Sequence, residues 1–268
     1  MRLSIPTPAT SAVEIGPLTI HFYALCIITG VAVAIWLGNR RFTRAFLGVE
    51  GVVADVAIYA IPAGVIGGRL YHVVTSPEKY FGVDGSLLDI LKLWNGGLGI
   101  WGAIALGALA ALFAYKKSAQ KRELPPFSDF ADALAPGLLL AQAIGRWGNW
   151  FNGELFGRPL DTPWALSIPE YLRPHGFESY STFHPTFLYE SLWCVFLAFI
   201  LIRLTPHCRG GSLFALYVAG YSCGRFFIEA LRIDQAHTIG GLRLNQYVSL
   251  LLCAAGTLVF TRIFRSKR

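Results

Sequence analysis

The chain has 268 residues, of which 54% are hydrophobic and only 15% are charged. Charged residues make up about a quarter of a typical soluble domain, so this composition excludes an ordinary soluble protein and predicts an all-α integral membrane protein. The net charge of +7 does not indicate nucleic-acid binding, because the basic residues occur in short clusters between apolar segments.

Seven apolar segments are long enough to cross a bilayer, which takes roughly 20 residues. They cover residues 17–38, 52–74, 96–115, 128–147, 186–204, 211–231 and 245–264. Basic clusters follow the first, third, fifth and seventh segments: Arg40, Arg41 and Arg44; Lys116, Lys117, Lys121 and Arg122; Arg203 and Arg209; Arg262, Arg265, Lys267 and Arg268. Such clusters mark cytoplasmic loops. We therefore predict about seven transmembrane helices, with the N-terminus outside and the C-terminus in the cytoplasm.

The connection between the fourth and fifth segments, residues 152–184, is too long for a plain turn. It contains Trp164, Tyr171, Tyr180 and Phe183, and aromatic residues favour the membrane interface. We predict that residues 152–184 form a small extracytoplasmic cap, inserted in a single transmembrane domain that covers residues 1–268. A disordered outer loop is the alternative.

Five cysteines lie in or beside apolar segments without the spacing of a disulfide framework or a zinc site. No motif for a nucleotide, metal or nicotinamide cofactor occurs, so no metal and no cofactor are expected. The N-terminus lacks the pattern of a cleaved signal peptide, and the first apolar segment is predicted to be retained as a span.

The most informative stretch comes at the end of the fourth segment, where residues 145–154 read Gly-Arg-Trp-Gly-Asn-Trp-Phe-Asn-Gly-Glu. On insertion scales an arginine at the bilayer centre costs at least ~2.5–3.5 kcal/mol, and such residues usually have a partner or a substrate. On a helix, Arg146, Asn149 and Gly153 share one face, and Trp147 and Trp150 share another. The pattern indicates a functional site.

This run, followed by Gly157, resembles the signature of the prolipoprotein diacylglyceryl transferases, and the resemblance extends over nearly the whole chain. It implies an enzyme of the bacterial cytoplasmic membrane whose partners are the lipid bilayer, phosphatidylglycerol and the lipobox segment of preprolipoproteins. The implied reaction transfers the diacylglyceryl group of phosphatidylglycerol to the lipobox cysteine thiol. It forms a thioether and releases glycerol phosphate.

The resemblance and the residue chemistry together predict the site. The predicted catalytic residues are Tyr23, Asn149, Glu154, Gly157, Glu229 and Arg232, and those predicted to bind phosphatidylglycerol are Arg146, Arg232 and Arg69. A guanidinium binds phosphate bidentately and keeps its charge. Asn149 and Tyr23 can orient ester or phosphate oxygens, and Gly157 leaves room for the backbone to approach the lipid. Tyr23 also matches a tyrosine that the family needs for function.

In the sixth segment, Arg225, Glu229 and Arg232 are spaced by four and three residues and therefore share one helical face. We expect the glutamate to neutralise one arginine and to leave the other, Arg232, for the ligand; a purely structural triad is the alternative. Arg243 and Gln246 are predicted to line the same outer region.

Two other positions allow two interpretations each. Arg69 is either a second contact to a lipid headgroup or an arginine that locks helices together through carbonyls or a carboxylate. His184 and Glu190 are predicted to pair with other polar groups and fix the cap, with a direct catalytic role for His184 as the alternative.

Activation of the thiol is the least determined step, because Trp101 stands where the family commonly has a histidine. A cysteine pKa near 8.5 is lowered by nearby arginines, so we predict that the positive field supplies thiolate; Glu154 or Glu229 could instead accept the proton. A transporter or channel with an arginine-lined anion path, and a lipid-binding scaffold without turnover, are the rival functions. We find no internal repeat of the kind common in transporters.

Overall fold

The computed structural model describes residues 4–16, 18–82, 85–92 and 96–265. Lys267 and Arg268 of the last basic cluster lie outside the described residues. The chain divides into two compact units, one formed by Met1–Gly38 with Ser128–Arg268 and the other by Asn39–Phe127. We call them the first and the second unit.

The described residues are mostly helical. The helices are α1 (Phe22–Ala45), α2 (Val52–Thr75), the short α3 (Glu78–Phe81), α4 (Ile100–Ala119), α5 (Phe127–Asn152), α6 (Thr186–Leu204), α7 (Ser212–Leu231) and α8 (Leu244–Arg265). Each long helix overlaps one predicted apolar segment, but the ends of α1, α4 and α5 differ from the prediction. Helix α1 ends at Ala45 rather than residue 38, and α4 covers Ile100–Ala119 rather than residues 96–115. Helix α1 begins at Phe22 rather than residue 17 because β2 (Ala12–Ile15) and β3 (Leu18–His21) form a hairpin before it. Helix α5 continues to Asn152, so the signature up to Asn152 is helical.

Helices α1, α2, α4, α6 and α8 are long and apolar enough to cross a membrane. Helices α5 and α7 are not among these five; they carry Arg146, Arg225 and Glu229 of the site described below. The described chain is thus a mostly helical, multi-pass membrane protein.

In the first unit, glycines let helix backbones touch. A Cβ atom at Gly30 of α1 would lie 2.9 Å from the carbonyl oxygen of Ala141 in α5, and one at Gly137 of α5 would lie 3.0 Å from that of Ala34. Small residues at helix contacts are typical of membrane proteins, where close packing drives helix association. Helices α5, α6 and α7 share a core that includes Leu139, Leu197, Leu201 and Leu213.

In the second unit, α2 and α4 pack in antiparallel orientation along a row of glycines. Gly67 of α2 faces Gly102 of α4, and a Cβ atom on either residue would clash with the carbonyl oxygen of the other. Helix α2 therefore brings Arg69, two residues later, against the chain that precedes α4.

Residues 152–184 are folded, although an all-α architecture does not predict their strands. β4 (Leu166–Ser167) lies between β1 (Ile5–Pro6) and β5 (Thr182–Phe183) in a three-stranded sheet. Five buried side chains form a core beside it, contributed by Phe156, Leu166, Ile168, Phe183 and Phe187. This compact core favours the folded segment over the disordered loop. A second hairpin, β6 (Thr238–Ile239) and β7 (Leu242–Arg243), connects α7 to α8.

Candidate active site

The polar residues of the first unit gather at one end of its helices. Arg146 lies six residues before the end of α5, Glu190 four residues after the start of α6, and Arg225 six residues before the end of α7. At about 1.5 Å per helical residue, these side chains begin roughly 6–9 Å inside the helix ends.

Glu190 is the first of two buried carboxylates at this end of the helices. It is 2% exposed and accepts hydrogen bonds from Tyr221 Oη at 2.7 Å and Arg225 Nη1 at 2.8 Å, and Arg146 Nη2 lies 2.8 Å away. Glu190 thus pairs with polar groups, as predicted, but these partners belong to α5 and α7 and not to residues 152–184. Two guanidiniums compensate a charge whose burial alone would cost several kcal/mol.

Glu229 is the second buried carboxylate and has no solvent exposure. Its Oε2 atom accepts a hydrogen bond from Arg225 Nη2 at 2.5 Å, and its Oε1 atom accepts bonds from Arg243 Nε at 2.8 Å and Asn245 Nδ2 at 3.2 Å. Arg232 Nη1 lies 3.6 Å from the same carboxylate. The glutamate therefore serves three arginines rather than the one we expected, and Arg225 bridges both glutamates.

Asp234 completes the cluster and was missed by the sequence reasoning. Arg232 donates to it through Nε at 2.7 Å and Nη2 at 2.8 Å, and Arg243 donates through Nη2 at 2.9 Å. Burial opposes ionisation of this carboxyl, but the hydrogen bonds and charges of Arg232 and Arg243 outweigh it and hold the pKa of Asp234 below its usual range. Its position two residues after Arg232, in a loop, was the available signal.

The cluster as a whole carries a net positive charge. Four guanidiniums, those of Arg146, Arg225, Arg232 and Arg243, contact three carboxylates, those of Glu190, Glu229 and Asp234. One positive charge is thus left over, and the carboxylates hold the guanidiniums in fixed positions. Such a preorganised cationic cluster suits a phosphate group.

Asn149 connects this cluster to the end of the signature. Its Oδ1 atom lies 3.4 Å from Arg146 Nη1, and its Nδ2 atom donates to Glu154 Oε1 at 3.0 Å. Asn152 donates to the same oxygen at 3.0 Å. Asn149 is buried, whereas Glu154 is exposed, so a chain of polar groups runs from Arg146 through a buried amide to the surface.

The turn after Glu154 is conformationally unusual. Leu155 has a φ of 58°, a left-handed conformation that is strained for a branched residue and is often found at functional sites. Its carbonyl oxygen accepts a hydrogen bond from the hydroxyl of Thr186, which ties the turn to the start of α6.

Gly157 is enclosed by protein rather than left open for lipid, so its predicted role needs correction. A Cβ atom there would lie 2.8 Å from His184 Cβ and 2.9 Å from the carbonyl oxygen of Leu231. The backbone of Gly157 also bridges to that of Arg232. Any side chain at this position would push the end of α7 away, and Gly157 therefore positions Arg232.

Tyr23 lies on the first turn of α1, where its ring packs against Gly148 of the signature. The side chain is 38% exposed. The absence of a side chain at Gly148 therefore makes the space in which the tyrosine ring sits.

A small cavity brings several predicted residues together. Its lining includes Arg146, Asn149, Arg232, Glu190, Arg225 and Leu155, and its volume of about 10 Å³ is that of roughly one water molecule. Tyr23, Glu154, Gly157 and Glu229 lie outside the lining. The side chain of Arg146 is 24% exposed, more than those of Arg225, Arg232 and Arg243, so a ligand can reach it from the surface.

Arg69 lies in the second unit and is 5% exposed. Its guanidinium donates to Tyr80 Oη and to the carbonyl oxygens of Ile90, Asp89, Lys92, Gly96 and Gly97. These six acceptors use all five N–H groups. The geometry therefore favours the locking role over the predicted contact to a headgroup. Trp101, also in this unit, is the second residue of α4 and is 39% exposed.

His184 is the last residue of the segment 152–184 and lies two residues before the start of α6. Its Nδ1 atom lies 3.2 Å from Tyr189 Oη, and its backbone bonds to Arg158 and Gly157. Burial and the charge of Arg158 lower the pKa of His184, which keeps the ring neutral at neutral pH. These contacts match its predicted pairing with polar groups.

Comparison with known proteins identifies the family of this chain. The family model "prolipoprotein diacylglyceryl transferase" matches residues 10–262. The chain is 52% identical to phosphatidylglycerol–prolipoprotein diacylglyceryl transferase 2 of Streptomyces coelicolor, over 92% of this chain and 77% of that protein. It is 48% identical to phosphatidylglycerol–prolipoprotein diacylglyceryl transferase of Paenarthrobacter aurescens, over 98% of this chain and 84% of that protein. The chain therefore belongs to the prolipoprotein diacylglyceryl transferase family.

Proposed function

We propose that this chain transfers the diacylglyceryl group of phosphatidylglycerol to the lipobox cysteine thiol of preprolipoproteins, the first step of bacterial lipoprotein maturation. The observation that carries the proposal is the cluster of four arginines around Glu190 and Glu229 at one end of apolar helices. The names of relatives about half identical to the chain support the same reaction.

The proposed topology has seven crossings of the bacterial cytoplasmic membrane, with the N-terminus outside and residues 152–184 as an extracytoplasmic cap on a single transmembrane domain. In the first unit, the basic residues Arg203, Arg262 and Arg265 occupy the ends of α6 and α8, opposite the ends that carry the site. Since basic residues favour the cytoplasmic side, the site faces the outer leaflet.

In the proposed reaction the cysteine sulfur bonds to the terminal glycerol carbon of the diacylglyceryl group, and the bond between that carbon and the phosphate oxygen breaks. Glycerol phosphate leaves with the bonding electrons, so a phosphodiester with one negative charge becomes a more negative phosphomonoester. Arg146 and Arg232 stabilise this charge as it develops. Glu190 and Asp234 hold the two guanidiniums in place, so they need not reorganise during the reaction.

The phosphate approaches Arg146 from its exposed side, because the cavity beneath it has room for about one water molecule. Among the described residues, the hydrogen bonds of Arg146 use Nη1 and Nη2 but not Nε. The Nε–H group is therefore available to the ligand. Asn149 and Tyr23 orient the oxygens of the lipid beside it.

The thiol is activated by the positive field of the cluster. Glu229 is fully buried and already accepts hydrogen bonds from two arginines, which makes it a poor proton acceptor. Glu154 is exposed and lies one amide away from Arg146, so it is the remaining candidate for a dedicated base, whereas the field mechanism releases the proton directly to water. A pH–rate profile that lost a titration near neutrality in Glu154→Gln would identify Glu154 as a dedicated base and contradict the field mechanism.

The proposal is tested with purified protein in detergent, phosphatidylglycerol labelled in its acyl chains, and a lipobox peptide. We expect label to move to the peptide, with one glycerol phosphate released for each thioether, and no transfer to a peptide with serine in place of cysteine. Detergent micelles hold no gradient, so a transporter would give no product. Binding of labelled lipid without product would indicate a scaffold and contradict the proposal.

A further inference from the structure

A second cavity lies within the second unit, between α2 and α4, and none of its lining residues belongs to the site described above. Its volume is about 310 Å³, at the lower end of the range for small-molecule pockets. It opens at the end of α4 that carries the basic cluster Lys116, Lys117, Lys121 and Arg122.

The lining of this cavity is cationic. Arg122 donates to Asp55 Oδ2 at 2.9 Å and to the backbone carbonyl oxygen of Glu50 at 2.7 Å. The charges of Arg122 and Asp55 therefore neutralise each other. Lys117 donates to Tyr59 Oη at 3.2 Å. Over the ranges that the structure describes, neither Lys117 nor Lys121 forms an ion pair with a carboxylate, and two positive charges face the cavity.

The surface beside the cavity is apolar. Ile58 lines the cavity and is 69% exposed. Phe113 of α4 is 61% exposed and meets the ring of Tyr59 edge-on, with the ring centroids 6.4 Å apart. A cationic pocket thus opens beside a strip of exposed hydrophobic side chains, an arrangement that suits a molecule with an anionic head and apolar tails.

We infer that this cavity binds the phosphate headgroup of an anionic phospholipid, with the acyl chains along Ile58 and Phe113. Lys117 and Lys121 contact the phosphate, and Tyr59 holds Lys117 in position. Basic pockets between transmembrane helices on the cytoplasmic side recognise such headgroups. The site rests on the proposed membrane topology and not on the transfer reaction, because it adds a lipid that is bound and not consumed.

The experiment measures binding of phosphatidic acid, which is not the proposed substrate, to the purified full-length protein by native mass spectrometry. Lys117→Gln/Lys121→Gln removes the two charges that face the cavity. Lys116→Gln/Arg203→Gln is the matched control. It also removes two positive charges, from the last turns of α4 and α6, but neither residue lines the cavity. We expect the affinity for one bound copy to fall by about thirtyfold in the first variant and to be unchanged in the control.

A second variant, Ser118→Phe, keeps every charge and places a ring in part of the cavity, and we expect it to weaken binding of the same copy. Unchanged thermal stability and basal transfer activity in all variants would show that they fold. Equal binding by the first variant and the control, equal binding of phosphatidylcholine, or full competition by millimolar inorganic phosphate would each overturn the inference. The last outcome would indicate a site for free phosphate.

Discussion

The two units each bury an arginine near a helix end, but they satisfy it in different ways. Arg69 of the second unit is surrounded by neutral oxygens, five backbone carbonyls and one tyrosine hydroxyl. Arg225 of the first unit lies between two carboxylates, at 2.8 Å from Glu190 and 2.5 Å from Glu229.

The difference separates a structural role from a chemical one. Carbonyls that surround a guanidinium use its N–H groups and fix the chain that supplies them, here at residues 89, 90, 92, 96 and 97. Carboxylates compensate the charges of several arginines at once, so the first unit can bring four of them together where repulsion would otherwise separate them. The comparison therefore predicts large effects on chemistry in the first unit and effects mainly on stability in the second.

The largest effect is expected for Arg225→Ala. It removes one partner from each of two buried carboxylates, and breaking a buried ion pair costs about 3–5 kcal/mol. We expect a loss of unfolding free energy of that size, measured by denaturation in detergent, and no detectable transfer.

Arg203→Ala is the control for this variant. Arg203 is exposed at the opposite end of α6, where its guanidinium lies 4.7 Å from the ring centroid of Phe199, and such an exposed contact contributes about 0.5–1 kcal/mol. Equal stability of the two variants would contradict the view that Arg225 holds the two glutamates.

Arg146→Ala comes next and acts on the reaction itself. Loss of one preorganised donor to a developing charge lowers kcat by about 10²–10³, and Arg146→Lys should recover only part of it, because lysine keeps the charge without the bidentate geometry. Initial rates for the folded protein test this. A normal rate of thioether formation in Arg146→Ala would remove the basis of the proposed function.

Arg69→Gln tests the other side of the comparison. It leaves several partly buried carbonyl groups without this donor, each at up to about 1–3 kcal/mol, so we expect an earlier thermal transition. We expect kcat and the KM for phosphatidylglycerol to stay within about threefold of normal per folded molecule. A tenfold rise in KM at unchanged stability would contradict the locking role and support the alternative prediction, in which Arg69 contacts the lipid headgroup.

The helices and the polar signature could be predicted because their signals are local. Runs of about 20 apolar residues identify each long helix, and the cost of a membrane arginine singles out Arg146. The strands of residues 152–184 were not predicted, since the short strands β1 and β4 pair across about 160 residues of sequence. The hairpin before α1 was not predicted either, because its residues continue directly into the first apolar segment.

The pairing of charges could not be predicted for the same reason. Helical spacing correctly placed Arg225, Glu229 and Arg232 on one face, but Glu190 and Asp234 were not assigned to them. Arg225 and Glu190 are 35 residues apart in sequence, and only the packing of α6 against α7 brings them together. Gly157 was interpreted as open space because a sequence does not show which neighbours, here His184 and Leu231, fill it.

Asp234→Asn should have the smallest effect and shows whether charge holds the loop between α7 and α8. Because Arg232 and Arg243 lower the folded-state pKa of Asp234, its stabilisation is present above the unfolded value of 3.8 and is lost as the pH falls through the lower folded value. The side chain of Asp234 is 30% exposed, so solvent screens its ion pairs. We expect Asp234→Asn to lower the free energy of unfolding at neutral pH by about 1 kcal/mol. Thermal midpoints of the two proteins should differ at neutral pH and converge in strong acid. A difference in thermal midpoint that stayed constant with pH would mean that the shape of the Asp234 side chain matters and its charge does not. Arg232 and Arg243 would then be held without help from a carboxylate charge, as Arg69 is held by neutral carbonyls.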